Sequence, residues 1–274
     1  MRIARALEQP SKKTRGPDPG MMEPALKPRR QRSWTDLIPE SHWSTYQAAI
    51  DVVRARGTPF MLGGGFAMST YIRRWRETKD IDFYVLPEDR DEMIEILNNA
   101  GFNDYYNQLP YDRRWIYRSI RDGLIVDVIW AMANRRAFVD KTWFKRAKPA
   151  RVRDERLLIL PAEELIWAKL YVLQGDRCDW PDVINVLHAT ASTLDWDHLL
   201  ERLENDVALF RSALVLFDWV SPRRAAEIPA RTRKRLGLSK PAPATAAEEK
   251  RRRNLLDSRD WFAASHAGHQ PLEV

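Results

Sequence analysis

Cysteine is almost missing from this chain. Cys178 is the single one in 274 residues. No internal disulfide can form, and a reducing, cytoplasmic setting is expected. No apolar run reaches the roughly 20 residues that a membrane-spanning helix needs, so no membrane association is expected. The opening stretch MRIARALEQPSKKTRGPDPG is basic but has no hydrophobic segment, which argues against a secretory signal. Internal repeats are absent. There is neither a GxGxxG fingerprint nor a Walker Gly-Lys-Ser/Thr. His188 and His198 fall in separate predicted helices without metal-ligand spacing.

Charge is present but unevenly placed. Residues 1–33 hold nine Lys/Arg against three acids, a net +6, and residues 222–253 hold eleven against three, a net +8. The whole chain carries +7, so everything else carries a net −7. Both basic stretches are read as solvated tails, mostly disordered, that could attach loosely to a polyanion such as nucleic acid. Basic residues spread on tails point less to a nucleic-acid reader than a stripe on a folded domain would.

Between the tails, 274 residues leave room for one sizeable core, or a core with a smaller helical unit. Residues 41–56 place Trp43, Tyr46, Ala49, Ile50 and Val53 at helical spacing, ended by Gly57 and Pro59. A short strand, 60–62, runs into three glycines and a helix, 66–75. Residues 80–86 alternate as a strand does, and Pro87 opens a helix over 88–100. Asp122-Gly123 joins strands 114–120 and 124–130 as a hairpin. From about residue 148 the pattern turns helical: to about 174 from a start at 160–164, then 181–191, 196–203 and 207–220. The expected fold is α+β, a small mixed sheet with flanking helices followed by a C-terminal helical unit. The expected parts are a basic tail 1–33, a sheet domain 34–147, a helical domain 148–221 and a basic tail 222–274.

Two short stretches carry chemistry. On a strand, Asp80, Asp82 and Tyr84 share one face and Ile81, Phe83 and Val85 the other. Adjacent carboxylates repel and raise one another's pKa unless a cation lies between them. A hard divalent ion takes such oxygen ligands, although a solvent-facing strand edge would also hold two acids. Asp127 lies inside the apolar run Leu-Ile-Val-Asp-Val-Ile-Trp, where an acid needs a partner. That partner is either a metal shared with Asp80 and Asp82 or a nearby arginine such as Arg118. Gly63, Gly64 and Gly65 end a strand and open a helix, where bare amides can face an anion; tight packing of the helix on the sheet would explain them too. Lys169 shares a helical stripe with Leu165, Val172 and Leu173, so its ammonium snorkels, pairs with a core acid or reaches a phosphate.

Taken together, "GGFAM", then "RETKDIDFYV", then a lone acid on a later strand resemble the polymerase-β-type nucleotidyltransferase superfamily. The likeness is strongest to its small bacterial branch, which includes abortive-infection and antibiotic nucleotidyltransferases. It covers residues 58–130 well and 160–185 loosely, through "KLYVLQGDRCDWPDV". Gly63 stands where the superfamily more often has an aliphatic residue. The resemblance implies Mg²⁺, or Mn²⁺, on Asp80, Asp82 and Asp127, with Asp127 also a base. It implies NTP contacts from Gly64, Gly65, Arg76, Thr78 and Lys169, with weaker indications for Asp179 and Asp182. The implied reaction moves an NMP from an NTP to an acceptor hydroxyl and releases pyrophosphate. The acceptor is left open among small molecule, protein and RNA. A metal-dependent glycosyltransferase using Asp-x-Asp is one alternative; a non-catalytic partner of this fold in a toxin–antitoxin pair is the other.

Overall fold

The computed structural model describes residues 33–75, 78–133, 136–175, 177–257 and 261–262, all within one unit of the chain. The tail 1–32 lies outside the described residues.

The stripe Trp43, Tyr46, Ala49, Ile50, Val53 is buried along α1 (Glu40–Arg56), and Gly57 ends the helix with φ 82° and its N–H donating to Arg54 O. The chain then forms β1 (Met61–Leu62), α2 (Gly64–Ile72) and β2 (Asp80–Tyr84). On β2, Ile81 and Phe83 are wholly buried, as an alternating strand over a core requires. After α3 (Arg90–Asn99) and β3 (Asn103–Asp104), the hairpin of β4 (Ile116–Arg121) and β5 (Leu124–Ile129) turns at Asp122 and Gly123, with φ 53° and 73°. Both positive values fit the two-residue turn that Asp-Gly favours.

Past α4 (Lys141–Arg146) come two strands that the sequence reading placed in a helical domain. They are β6 (Lys148–Val152) and β7 (Glu155–Ile159), paired antiparallel. β7 also pairs with β1 in parallel, Leu62 opposite Ile159. The seven strands therefore form one mixed sheet in the order β3-β4-β5-β2-β1-β7-β6. The helical part begins only after it, with α5 (Ala162–Leu170), α6 (Trp180–Thr190), α7 (Trp196–Leu203) and α8 (Val207–Val220). α5 ends at Leu170, earlier than expected, and Leu173 bridges to Cys178, which is exposed.

The stretch after 221 also departs from expectation. It holds α9 (Pro222–Ala225), α10 (Ala230–Arg235) and α11 (Ala246–Leu256). A few apolar anchors, Ala225, Ile228 and Leu236, are buried. Its arginines are held by acids: Arg233 forks onto Asp218 at 3.0 and 2.6 Å, and Arg223 onto Glu249 at 2.9 and 2.9 Å. Ion pairing thus organises a sequence whose composition alone suggests disorder. No described helix is long and apolar enough to cross a membrane.

Candidate active site

The sheet register brings the acids together. Asp82 on β2 lies opposite Asp127 on β5, and Asp127 lies opposite Arg118 on β4. On the other side of β2, the Gly63 N–H donates to Asp82 O at 3.0 Å. Four residues on neighbouring stretches therefore form one row across the sheet. Asp80, two residues before Asp82, faces the same way. Each of Asp80, Asp82 and Asp127 offers a carboxylate oxygen, and these three atoms all lie within 4.8 Å of one another. Asp127 is 1% exposed; the other two are partly exposed.

Both arginine and metal had been considered as partners of Asp127. The arginine is there: Arg118 donates Nε to Oδ1 at 2.8 Å and Nη2 to Oδ2 at 2.7 Å. Burial raises the Asp127 pKa, against the hydrogen bonds and charge of Arg118. Burial, with the charges of Asp80 and Asp127, pushes Asp82 well above the usual carboxylate range, and Lys169 and Arg118 only partly oppose this. Hard oxygen donors crowded into a poorly solvated spot, with too little positive charge among them, fit a divalent cation.

The glycines serve three different contacts. A Cβ on Gly63 would meet the Tyr84 ring at 2.0 Å; one on Gly64 would meet Asp82 Oδ2 at 1.6 Å; one on Gly65 would meet Thr78 Cγ2 at 3.3 Å. Gly64 also has φ +45°. The Gly64 backbone is therefore pressed against a metal-candidate carboxylate, and this fixes the register of the turn. Thr78 Oγ1 donates to Asp80 Oδ1, and Tyr46 donates to Thr78 O at 3.4 Å. Arg76 lies outside the described residues.

Lys169, on α5, donates Nζ to Asp179 Oδ2 at 2.8 Å and Asp182 Oδ2 at 2.7 Å. Arg177 also reaches Asp179, at 3.1 and 3.2 Å. Burial would raise the Asp179 pKa, but Lys169 and Arg177 outweigh it and hold the carboxyl below its ordinary value. Asp179 precedes α6 without making a side-chain cap; its carboxylate belongs to this ion group. Because the Lys169 charge acts on Asp82, the group adjoins the three acids. Arg177 had not been singled out, and no periodicity marks it. Tyr84, on the Asp80/Asp82 face, stacks on Trp143 with centroids 6.0 Å apart.

A cavity of about 640 Å³ lies elsewhere, lined by Trp167, Tyr171, His198 and Arg202 among others. Trp167 is two positions from Lys169 and so points to the other side of α5. The cavity includes none of the expected site residues.

Several solved structures are similar at low identity. The antibiotic-resistance factor ANT(2'')-Ia is 19% identical over 65% of this chain and 95% of its own, with a TM-score of 0.44. The lincosamide antibiotic adenylyltransferase LnuA, solved with lincomycin bound, is 15% identical over 56% of this chain and 99% of its own, with a TM-score of 0.41. JHP933 from Helicobacter pylori is 14% identical over 81% and 100%, with a TM-score of 0.37. Likenesses this distant say nothing of what this chain acts on. No curated protein matches the sequence. A family model does, over residues 45–214, more than half of the chain and including every member of the acid row. The chain belongs to the family described as "Uncharacterised nucleotidyltransferase".

Proposed function

We propose that this nucleotidyltransferase moves an NMP from an NTP to an acceptor hydroxyl, with release of pyrophosphate, and that Asp80, Asp82 and Asp127 hold the Mg²⁺ or Mn²⁺ it needs. The observation that carries this reading is the convergence of three carboxylate oxygens within 4.8 Å directly against the Gly64 backbone. Bound there, a divalent cation would supply positive charge to the phosphate oxygens. The chain's own groups do the rest. The Gly64 and Gly65 amides, at the start of α2, face the triphosphate, where unpaired N–H groups and the helix dipole favour an anion. Thr78 steadies Asp80 through its hydroxyl, and the neighbouring Arg76 joins the nucleotide contacts. Asp127, its carboxylate held in place by the Arg118 fork, receives the proton from the acceptor hydroxyl. Lys169, held by Asp179 and Asp182, adds a positive field beside the site.

In this reading the sheet with α1–α4 is the catalytic part, and the helical part from α5 onward contributes Lys169. The acceptor is a hydroxyl on a small molecule, a protein or an RNA, and an NTP-consuming reaction fits a cytoplasmic setting. The test uses each α-labelled NTP with protein, RNA and aminoglycoside pools, with and without Mg²⁺. Label transfer should require the metal and should vanish in Asp80→Asn and Asp82→Asn. Near-normal turnover in either variant would refute the assignment.

A further inference from the structure

Three carboxylates this close carry a formal charge of −3. Among the described residues, Arg118 is the one cation hydrogen-bonded to any of them. Lys169 acts on Asp82 only through space and is committed to Asp179 and Asp182. The Arg118 side chain is 27% exposed, whereas that of Asp127 is 2% exposed. The guanidinium engages both Asp127 oxygens in a fork.

We infer that Arg118 stands in for the divalent cation: it partly offsets the charge of the acid row when no ion is bound, and an arriving ion must share Asp127 with it. This rests on the reading of the acids as a divalent site. Two cations on one carboxylate repel, and the effect is strong where solvent screens poorly. Arg118 therefore lowers ion affinity while it protects the ion-free fold. An arginine that merely oriented Asp127 as a ligand would do the reverse, and its loss would weaken ion binding.

The two readings differ in sign, so calorimetry and melting of the full chain with Mn²⁺ alone separate them. Arg118→Gln keeps a side-chain donor and removes the charge. Without the ion it should melt roughly 5 °C lower than wild type, as expected for a carboxylate that loses its buried partner. It should bind Mn²⁺ about tenfold more tightly, a modest share of the Coulomb term between near charges. Saturating Mn²⁺ should restore most of the lost melting temperature. Arg118→Lys, which keeps the charge without the fork, should bind Mn²⁺ within a few-fold of wild type.

Unchanged or weaker Mn²⁺ binding by Arg118→Gln, beside a wild type that binds, overturns this inference and leaves the proposed function standing. A melting loss that Mn²⁺ does not recover also overturns it, by making Arg118 a fold-holder only. If neither chain binds Mn²⁺ or Mg²⁺, the metal reading itself falls and this inference with it. Should Arg118→Gln not fold, Arg118→Lys decides alone: an affinity change of tenfold or more would show that geometry, not charge, governs the site.

Discussion

Gly64→Ala tests the join between the glycine turn and the acids. Two costs can be worked out separately. The residue has φ +45°, where a side chain costs about 1–2 kcal/mol relative to glycine. The added Cβ would also sit 1.6 Å from Asp82 Oδ2 and 2.6 Å from its Cγ, so the carboxylate must move by about 2 Å to reach ordinary contact. Asp82 is hemmed in, with Asp80 and Asp127 as charged neighbours, and its displacement adds about 1 kcal/mol. A total near 2–3 kcal/mol corresponds to a melting temperature lower by roughly 5–10 °C for a chain of this size. Activity should suffer more than stability. A reacting group misplaced by about 1 Å costs on the order of a hundredfold. Gly65→Ala is the control. Its Cβ would meet only the Thr78 methyl at 3.3 Å, and alanine is favoured over glycine inside a helix by roughly 0.5–1 kcal/mol. Thermal melts and label transfer from an α-labelled NTP are the assays. If Gly64→Ala melts and transfers label as wild type does, the contact between the turn and Asp82 is wrong, and the register argued from it fails.

Lys169→Met should destabilise the fold by about 3 kcal/mol in urea titration, because it removes the buried cation that two carboxylates share. The triple variant Lys169→Met/Asp179→Asn/Asp182→Asn should recover most of that loss; equal losses would mean that the lysine packs rather than pairs. His188 gives a pH prediction. Burial, then repulsion from Arg224 and Arg253, lowers its pKa from 6.5 to about 4; it bonds Ser221 Oγ at 2.9 Å and stacks on Phe262 at 3.8 Å. The folded pKa lies below the unfolded one, so its contribution is full above pH 6.5 and is lost as pH falls through 4, by about 3 kcal/mol in all. Melting curves across that range should show a slope that His188→Gln flattens, and an NMR titration near 6.5 in the folded chain would contradict it.

Legibility in the sequence followed turn chemistry. The Asp122-Gly123 turn fixes the hairpin register, and that register alone places Arg118 across from Asp127. α7 and α8 end where their apolar periodicity ends, at Leu203 and Val220. The β6–β7 hairpin was missed because its turn, Arg153 with φ 52° followed by Asp154, contains no glycine, asparagine or proline. Its strand β6 is also mostly exposed, with Val152 alone deeply buried. Residues 222–256 resemble a tail by composition because composition counts charges without pairing them. Asp218, which holds Arg233, lies outside the stretch, and no local pattern announces it. Arg177 bonds Asp179 only two residues on; its place in the ion group depends on Lys169, which reaches the same carboxylate from α5.

The site itself was more legible than the fold around it, and the reason is physical. A strand that places Asp80 and Asp82 on one face has to solve their repulsion locally, so the solution leaves traces nearby in sequence: glycines where a carboxylate presses on backbone, and a threonine two residues before the first acid. An acid inside an apolar strand has to be answered by a residue on the next strand, and a two-residue turn makes that residue countable. What the sequence left open was which cation gives the answer. The structure offers an arginine that already bonds Asp127 and a cluster that one +1 charge cannot balance. Three carboxylates and one guanidinium leave −2 when the acids are ionised, which a single divalent cation would balance. In the proposed reading the arginine and a metal are therefore not rivals for Asp127; the deficit that remains after the arginine is what a divalent cation would fill.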